Sequence, residues 1–315
     1  MSLRKRNDLP RPFLKWAGGK AQLLPQFAAL YPDPLRVTRY LEPFVGSGAV
    51  FLHVKRVLQP DTVFLADSNE ELINVYSAVQ QQVDDVIGRL RVHQRFHSKD
   101  YYYQIRRRNP RRLSNPGRAA RFIYLNKTCF NGLYRVNSRG QFNVPIGDYK
   151  KPTILDEANL RAVSASLRGV RLQTAHFREA LNYARHGDFI YFDPPYDPLS
   201  ATSNFTGYTQ SPFGDAEQEE LSRVFHALSD RGCFVMLSNN ATSLIFKIYA
   251  RFATQTHRVS AKRSINSKGD RRGPIQEIVV LNYDPPPVGK TAPFESALAK
   301  RRKTTSRAPA LSQGN

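Results

Sequence analysis

The sequence predicts an α/β fold, a doubly wound and mostly parallel sheet into which a mainly helical domain is inserted. Short apolar runs that fit buried strands alternate with segments of helical spacing, which is typical of a parallel sheet covered by helices. A basic segment at 77–157 interrupts this alternation. We therefore predict one discontinuous domain formed by 11–76 and 158–284, an inserted domain at 77–157, and a basic tail at 285–315.

The first half of the predicted sheet begins with a strand, a glycine turn and a helix. The apolar segment from Tyr40 to Val45 ends in Gly46-Ser47-Gly48, and a helix is predicted from Ala49 to Leu58. A second buried strand is predicted from Thr62 to Ala66. Apolar residues at helical spacing then predict a single helix from Asn69 to Leu90.

The second half of the sheet is predicted from three further apolar runs. Phe189-Ile190-Tyr191-Phe192 is continuous and apolar, as expected of a strand buried on both faces. Strands are also predicted at Cys233–Leu237 and Glu277–Leu281, with a helix at Glu217–Leu228 between them and the first run. Beyond Asp284, three prolines and a polar basic composition predict a disordered tail.

The charge of the chain indicates an acidic partner. The 315 residues include 47 Lys+Arg and 26 Asp+Glu, a formal net charge of +21. Sixteen Lys+Arg and only six Asp+Glu fall at 77–157, where Val136 to Phe142 has the turn residues of a β-hairpin. Such a field attracts polyanions. A basic protein without a nucleic-acid role remains the alternative on composition alone.

Other classes of protein find little support in the sequence. The two cysteines, Cys129 and Cys233, lie far apart and form no C-x-x-C pair, so we expect neither a disulfide framework nor a cysteine metal site. The basic N-terminus has no apolar signal-peptide core before Pro10. No apolar run reaches the ~20 residues of a membrane span. We expect a cytoplasmic protein that uses neither metal nor membrane.

The glycine turn and its acidic partner predict a ribose-bearing ligand. Gly46 and Gly48 let the backbone turn tightly and approach a ligand, although a plain strand-to-helix turn has the same pattern. Phe51 replaces the third glycine of a dinucleotide fingerprint, and Gly19-Lys20 lacks the flanking residues of a P-loop. Asp67 ends the next strand, about 20 residues on, where a carboxylate can accept both ribose hydroxyls. A ribose-bearing cofactor without a required pyrophosphate fits S-adenosylmethionine.

The segment Asp193-Pro194-Pro195-Tyr196 is the candidate catalytic loop. It directly follows a predicted buried strand, at the edge where parallel sheets bind ligands, and its two prolines stiffen the loop and donate no hydrogen bonds. The Asp193 carboxylate and the Pro194 carbonyl can accept both hydrogens of a planar amino group and draw its lone pair out of the ring. Tyr196 offers a face for an extruded base. The same loop would serve any planar exocyclic amine, and a structural Pro-Pro turn has the same sequence.

Four blocks occur along the chain in a fixed order: F-L-K-W-A-G-G-K at 13–20, E-P-F-V-G-S-G at 42–48, L-A-D-S-N at 65–69 and D-P-P-Y at 193–196. Together they resemble the alpha-group, D12-class N6-adenine DNA methyltransferases, and among them the GATC-specific Dam type. The resemblance covers roughly Pro12 to Tyr283. It includes 131–135 and 140–145, which look like the recognition hairpin, and 199–206, which looks like the loop after the catalytic motif.

The resemblance implies transfer of a methyl group from S-adenosyl-L-methionine to N6 of a flipped-out adenine in double-stranded DNA, within GATC, by a monomer. By that resemblance, catalysis falls to Asp193, Pro194, Pro195 and Tyr196. The implied cofactor contacts are Trp16, Lys20, Phe44, Gly46, Gly48, Asp67, Phe177 and Asp193.

The resemblance also implies how DNA is read. Lys15 and Arg135 would contact guanine, Pro145 would touch the thymine methyl, and Phe130 stands where the pattern has a tyrosine that inserts into the base stack. The implied DNA contacts are Lys15, Phe130, Asn131, Leu133, Arg135 and Pro145.

Alternatives remain open at this point. Methylation of cytosine N4 or of an RNA base would use the same loop chemistry, and a DNA-binding protein on a decayed methyltransferase fold would keep the charge. The intact Asp67 and Asp193 argue against decay. Taken by itself, Trp16 could be an aromatic residue of the core, and Arg135 could be a solvent-exposed charge. The combined pattern of sequence blocks favours functional roles for both residues. Whether the enzyme accompanies a restriction nuclease, marks replicated strands or belongs to a phage is left open by the sequence.

Overall fold

The described part of the chain, residues 9–199, 213–261 and 275–287 of a computed structural model, is built around a seven-stranded sheet of order β3-β2-β1-β4-β5-β7-β6. The pairs among β1 to β5 are parallel, and β7 runs antiparallel between β5 and β6. The predicted doubly wound, mostly parallel α/β sheet is confirmed. The strands are β1 (Arg39–Glu42), β2 (Thr62–Asp67), β3 (Arg171–Thr174), β4 (Phe189–Phe192), β5 (Phe234–Asn240), β6 (Thr256–Ala261) and β7 (Ile275–Leu281).

The helices cover both faces of this sheet. One core, which includes Phe27 and Tyr76, lies under α1 to α7, and a second, which includes Phe225 and Ile245, lies under α8 to α10. The helices are α1 (Leu24–Ala28), α2 (Ala49–Val57), α3 (Glu70–Gln81), α4 (Val83–Arg95), α5 (Lys99–Arg107), α6 (Asn115–Thr128), α7 (Glu157–Ser166), α8 (Ala180–Tyr183), α9 (Asp215–Asp230) and α10 (Ser243–Ile248).

The strand β4 shows how the apolar pattern determines this layering. All four of its side chains are buried. Phe189 and Tyr191 pack into one core, and Ile190 and Phe192 pack into the other, because successive side chains of a strand point to opposite faces. Full burial of such a side chain contributes roughly 1.5–3 kcal/mol, which anchors the loop that follows β4.

The order of the strands reverses between β1 and β4. β1 pairs with β2 on one side and with β4 on the other. In open α/β sheets, ligands bind outside the carboxyl ends of the strands at such a reversal. The glycine turn follows β1 and the D-P-P-Y loop follows β4, so the topology brings both motifs to this crevice.

Two predicted boundaries were wrong. The predicted strand from Tyr40 to Val45 ends at Glu42, because Pro43 has no N–H for a strand ladder. The predicted helix at 69–90 is broken at Gln82, whose φ of −138° and ψ of 41° are not helical. A new helix, α4, starts there with acidic residues in its first turn, where the helix dipole favours them.

The basic segment at 77–157 is mainly helical, and its hydrophobic core is continuous with the core of the sheet. The helices α4, α5 and α6 share one hydrophobic core with the α1 side of the sheet. The predicted hairpin is present as an isolated antiparallel bridge between Val136 and Phe142, closed by a bond from Asn137 N to Gln141 O of 2.9 Å. It has no regular strands.

Membrane-spanning helices, metal clusters and cysteine pairs were searched for across the described residues. No helix of the described ranges is long and apolar enough to cross a membrane. Across the same ranges, no three His, Cys, Asp or Glu side chains come together as a metal site. Cys129 and Cys233 are buried free thiols. The predicted loop residues 200–206 and the tail at 288–315 lie outside the described residues.

Candidate active site

Asp193, directly after β4, faces the lysine of the first sequence block. Nζ of Lys20 lies 2.9 Å from Oδ1 of Asp193. The same ammonium donates to the Gly18 carbonyl at 2.5 Å and lies 4.5 Å from the centre of the Tyr196 ring. Lys20 is only 3% exposed. The F-L-K-W-A-G-G-K block and the D-P-P-Y loop therefore form one site.

The surroundings of Asp193 determine the pKa of its carboxyl group and its hydrogen-bond partners. Burial raises the pKa of Asp193 to about 6; the charge of Lys20 opposes the rise and that of Glu277 adds to it. Oδ1 is paired with the Lys20 ammonium, and no hydrogen bond among the described residues reaches Oδ2. The side chain of Asp193 is 22% exposed, so the carboxylate keeps acceptor capacity toward the ligand edge.

Asp67 closes the glycine turn from the end of β2. Its Oδ1 accepts from Asn69 N at 3.0 Å and its Oδ2 from Gly46 N at 3.2 Å. Burial raises the pKa of Asp67 to about 6, and these two backbone hydrogen bonds oppose the rise. A carboxylate has about four acceptor positions, so both oxygens retain capacity for hydroxyl donors.

The glycine turn is packed closely against two aromatic side chains, Trp16 and Tyr76, which the G-x-G pattern did not show. Gly46 has a φ of +45°, and a Cβ there would lie 2.9 Å from Cδ1 of Trp16. Gly48 has a φ of +69°, and a Cβ there would lie 2.7 Å from the Tyr76 hydroxyl. That hydroxyl donates to the Gly46 carbonyl at 3.0 Å. Both positions accept only glycine without rearrangement.

Two predicted aromatic residues meet beside this turn. The rings of Phe44 and Phe177 stack with centroids 5.6 Å apart and planes at 27°. Phe213, which the sequence did not single out, lies 5.9 Å from both rings. Phe177 is buried, whereas Phe44 and Phe213 are each partly exposed.

Two carboxylates of the site were missed by sequence reasoning. Glu42 ends β1 and accepts from the Tyr40 hydroxyl at 2.7 Å. Burial raises its pKa well above the usual range, and the nearby Asp193 and Asp67 raise it further. Glu277 of β7 accepts from the Tyr196 hydroxyl at 2.6 Å. An acidic residue that ends a buried strand, as Glu42 does, was the signal available in the sequence.

The two predicted guanine readers, Lys15 and Arg135, are held by different contacts. Arg135 is exposed, and its Nε donates to Oδ1 of Asn143 at 2.8 Å. Lys15 is fixed through its backbone, which exchanges two hydrogen bonds with the side chain of Asn126 at 2.7 and 2.8 Å. The ammonium of Lys15 lies 3.9 Å from the centre of the Tyr149 ring.

The short turn that begins at Phe130 exposes the side chain of that residue. Its ring is 51% exposed, and its backbone N–H donates to the Pro145 carbonyl at 2.9 Å. Asn131 has a φ of +53°, and at Gly132 a Cβ would lie 2.5 Å from the Lys15 side chain. Leu133, next along the chain, is partly buried. Phe130, Asn131 and Leu133 thus lie on one turn that packs against Lys15 and is hydrogen-bonded to Pro145.

The aromatic ring of Trp16 joins this turn to the glycine turn. It stacks on Tyr134 with centroids 6.0 Å apart and on Phe122 at 6.4 Å. The same ring also lies against the backbone of Gly46. Sequence position alone did not show that one side chain connects both regions.

The sheet order, the glycine turn with its acidic partner and the D-P-P-Y loop define the α/β class of S-adenosylmethionine-dependent methyltransferases. Residues 16–265 match the family model for D12 class N6 adenine-specific DNA methyltransferases. The chain belongs to this family. Family membership implies S-adenosylmethionine as the methyl donor and DNA as the substrate.

Curated relatives align along almost their whole length. The chain is 42% identical over 290 residues to the type II methyltransferase M1.LlaDCHI of Lactococcus lactis subsp. cremoris, covering 90% of this chain and 99% of the relative. It is 42% identical over 288 residues to the type II methyltransferase M.MjaIII of Methanocaldococcus jannaschii, covering 87% and 99%. It is 36% identical over 277 residues to the DNA adenine methylase of Escherichia coli K12, covering 87% and 96%.

Proposed function

We propose that this protein methylates N6 of an adenine that is turned out of duplex DNA, with GATC as the target. The observation that supports it most directly is the Asp193 carboxylate at the strand reversal, where Lys20 pairs with Oδ1 and no hydrogen bond among the described residues reaches Oδ2. Tyr196 stands beside it. An acceptor and an aromatic face at the ligand edge suit an amino group on a flat ring.

In this proposal, Asp193 and the Pro194 carbonyl accept the two hydrogens of the amino group. The nitrogen then moves toward tetrahedral geometry, and its lone pair becomes available for attack. Pro195 stiffens the loop, and the Tyr196 ring stacks on the base. The hydroxyl of Tyr196 is held by Glu277, so the ring is oriented before the base arrives.

The described residues fit S-adenosylmethionine at the glycine turn. Gly46 and Gly48 let Trp16 and Tyr76 pack closely against the turn, Asp67 offers acceptors to ribose hydroxyls, and Phe44 with Phe177 provides a flat apolar wall. Trp16 and Lys20 complete the proposed cofactor contacts. When bound, this cofactor supplies an electrophilic methyl group on a sulfonium.

For recognition, we propose that residues 77–157 form the DNA-reading domain and that 11–76 with 158–284 form the catalytic domain. The exposed Phe130 would fill the gap that the turned-out base leaves, with Asn131 and Leu133 beside it. Asn143 holds Nε of Arg135, which leaves the two terminal nitrogens for a guanine edge. Lys15 would contact a second guanine and Pro145 the thymine methyl.

We propose a cytoplasmic monomer that needs no metal. A duplex oligonucleotide containing one GATC, incubated with radiolabelled S-adenosylmethionine, should yield label in N6-methyladenine after digestion to nucleosides. A duplex with the same composition and a scrambled site is the control. Label on cytosine would contradict the adenine assignment, and equal labelling of the scrambled duplex would contradict GATC.

The role of the loop has a separate test. Asp193→Ala should abolish methyl transfer while DNA is still retained in a gel-shift assay. Full activity of this variant would contradict the proposed acceptor role without affecting the base assignment.

A further inference from the structure

Two fully buried amides support the D-P-P-Y loop from below. Nε2 of Gln218, on α9, donates to the Pro195 carbonyl at 2.9 Å. Oδ1 of Asn239, on β5, accepts from the backbone N–H of Asp197 at 3.0 Å. The two side chains are joined by a bond of 3.0 Å from Nδ2 of Asn239 to Oε1 of Gln218. Both residues are 0% exposed.

The direction of this relay is fixed by chemistry. The Pro195 carbonyl can only accept, so it must face the donor end of Gln218. The Asp197 N–H can only donate, so it must face the acceptor end of Asn239. The donor end of Asn239 then faces the acceptor end of Gln218. The relay starts and ends on the loop, and a primary amide is the side chain that supplies one donor and one acceptor at each step.

The relay leaves the Pro194 carbonyl available. The Pro195 carbonyl is engaged by Gln218, and the Asp197 carbonyl accepts from Nδ2 of Asn240 at 2.7 Å. Among the described residues, no hydrogen bond reaches the carbonyl of Pro194. The relay thus holds the peptide units that follow this carbonyl, while Asp193 is held on the other side by β4.

We infer that Gln218 and Asn239 are positioning residues for methyl transfer, which keep the Pro194 carbonyl and the Asp193 carboxylate aimed at the same amino nitrogen. This rests on the proposed function. The competing explanation is that two buried amides merely satisfy each other. A misplacement of about 1 Å can reduce a rate on the order of 100-fold, so a positioning role predicts a loss in kcat rather than in DNA binding.

The variants Gln218→Glu and Asn239→Asp separate the two explanations. A protonated carboxyl group has one donor and one acceptor and can replace the amide, whereas the ionised group has acceptors only. Burial raises the pKa of such a carboxyl. We expect the ratio of variant to wild-type kcat to be near one at low pH and to fall on the order of 10- to 100-fold as pH rises, while KM for DNA stays unchanged.

The two proteins in this ratio share every other charged group around the relay. On the surrounding elements these are Asp193, Tyr196 and Asp197 of the loop and Glu217 of α9, with Glu277 of β7 and Lys20 in contact with the loop. All of them are unchanged in both variants.

A matched control removes a buried hydrogen bond from the same helix. Ser222 of α9 donates to the Ile248 carbonyl at 2.9 Å, away from the loop. Ser222→Ala should lower thermal stability but keep a pH-independent kcat ratio. If one carboxyl variant does not fold, the other tests the same relay from its opposite end.

The outcomes are distinct. A kcat ratio that does not change with pH in a folded variant would overturn the inference, as would a loss confined to KM. If wild-type protein places no label on adenine in the same assay, the proposed function fails, whatever the variants do.

Discussion

Nζ of Lys20 lies 2.9 Å from Oδ1 of Asp193, and the ammonium also sits over the ring of Tyr196. A lysine from the start of the chain is therefore the counter-ion of the carboxylate after β4. The pair sits in a nearly closed environment, where charges interact more strongly than at a surface. The acidity of Asp193 should then depend on Lys20.

Replacing Lys20 by Met should shift the acid limb of the pH profile upward. The pKa of Asp193 is about 6 with Lys20 opposing its rise, so removing the cation raises it further. If only the carboxylate accepts the amino hydrogens, activity is lost as pH falls through this pKa, and the variant loses it at higher pH. The measurement is kcat against pH at saturating cofactor and DNA.

The control for this variant is Lys127→Met. Lys127 is a largely buried lysine whose charged neighbours are Lys15, Asp156 and Arg11. The acid limb of the kcat profile of Lys127→Met should lie at the same pH as in the wild-type protein. An unmoved limb in the Lys20 variant would show that the ion pair does not set the acidity of Asp193.

Glu277→Gln should move the same limb in the opposite direction. The negative charge of Glu277 raises the pKa of Asp193, and its removal lowers that pKa, so activity should persist to lower pH. The amide oxygen can still accept from the Tyr196 hydroxyl. The same kcat profile serves as the measurement, and an upward movement would contradict the electrostatic assignment.

Gly46→Ala should weaken cofactor binding and lower stability together. A left-handed φ costs a non-glycine residue roughly 1–2 kcal/mol, and the new Cβ would also press on Trp16. Gly169→Ala is the matched control, because Gly169 has a φ of +72° but no atom within 4 Å of the added Cβ. Calorimetric titration with S-adenosylmethionine should show a loss for the first variant only. Equal affinities would place the cofactor away from this turn.

Arg135→Ala should relax the preference for one guanine. Each good bidentate contact contributes ~1–3 kcal/mol of discrimination, so kcat/KM for GATC should approach that for a duplex with this guanine replaced. Arg139→Ala is the control, since Arg139 is an exposed arginine of the same hairpin turn. It should weaken all duplexes alike. A uniform loss for Arg135→Ala would identify a phosphate contact instead.

The sequence was informative where a single segment carries the pattern. The apolar run at 189–192 predicted a strand buried on both faces and placed Asp193 at its end, as found. Strand β3 was missed because Arg171 to Thr174 is largely exposed and has no apolar run. Helix α6 was missed because it is buried nearly all round and includes Arg121 and Asn126, which obscures a helical stripe.

The supporting residues of the site could not be predicted because their partners are distant in sequence. Gln218 and Asn239 are ordinary polar residues until the fold places both beneath the loop. Glu277 was noted only as the start of a strand, and its bond to Tyr196 depends on β7 entering the sheet beside β5.

Trp16 is the single tryptophan of the chain, and it lies between the glycine turn and Tyr134 of the insert. Its intrinsic fluorescence is therefore an optical signal that no second indole obscures. A ligand at the turn and a duplex at the insert would each perturb the same ring from opposite sides. Rapid-mixing fluorescence of the unlabelled protein can thus time the arrival of each and give the order in which they bind.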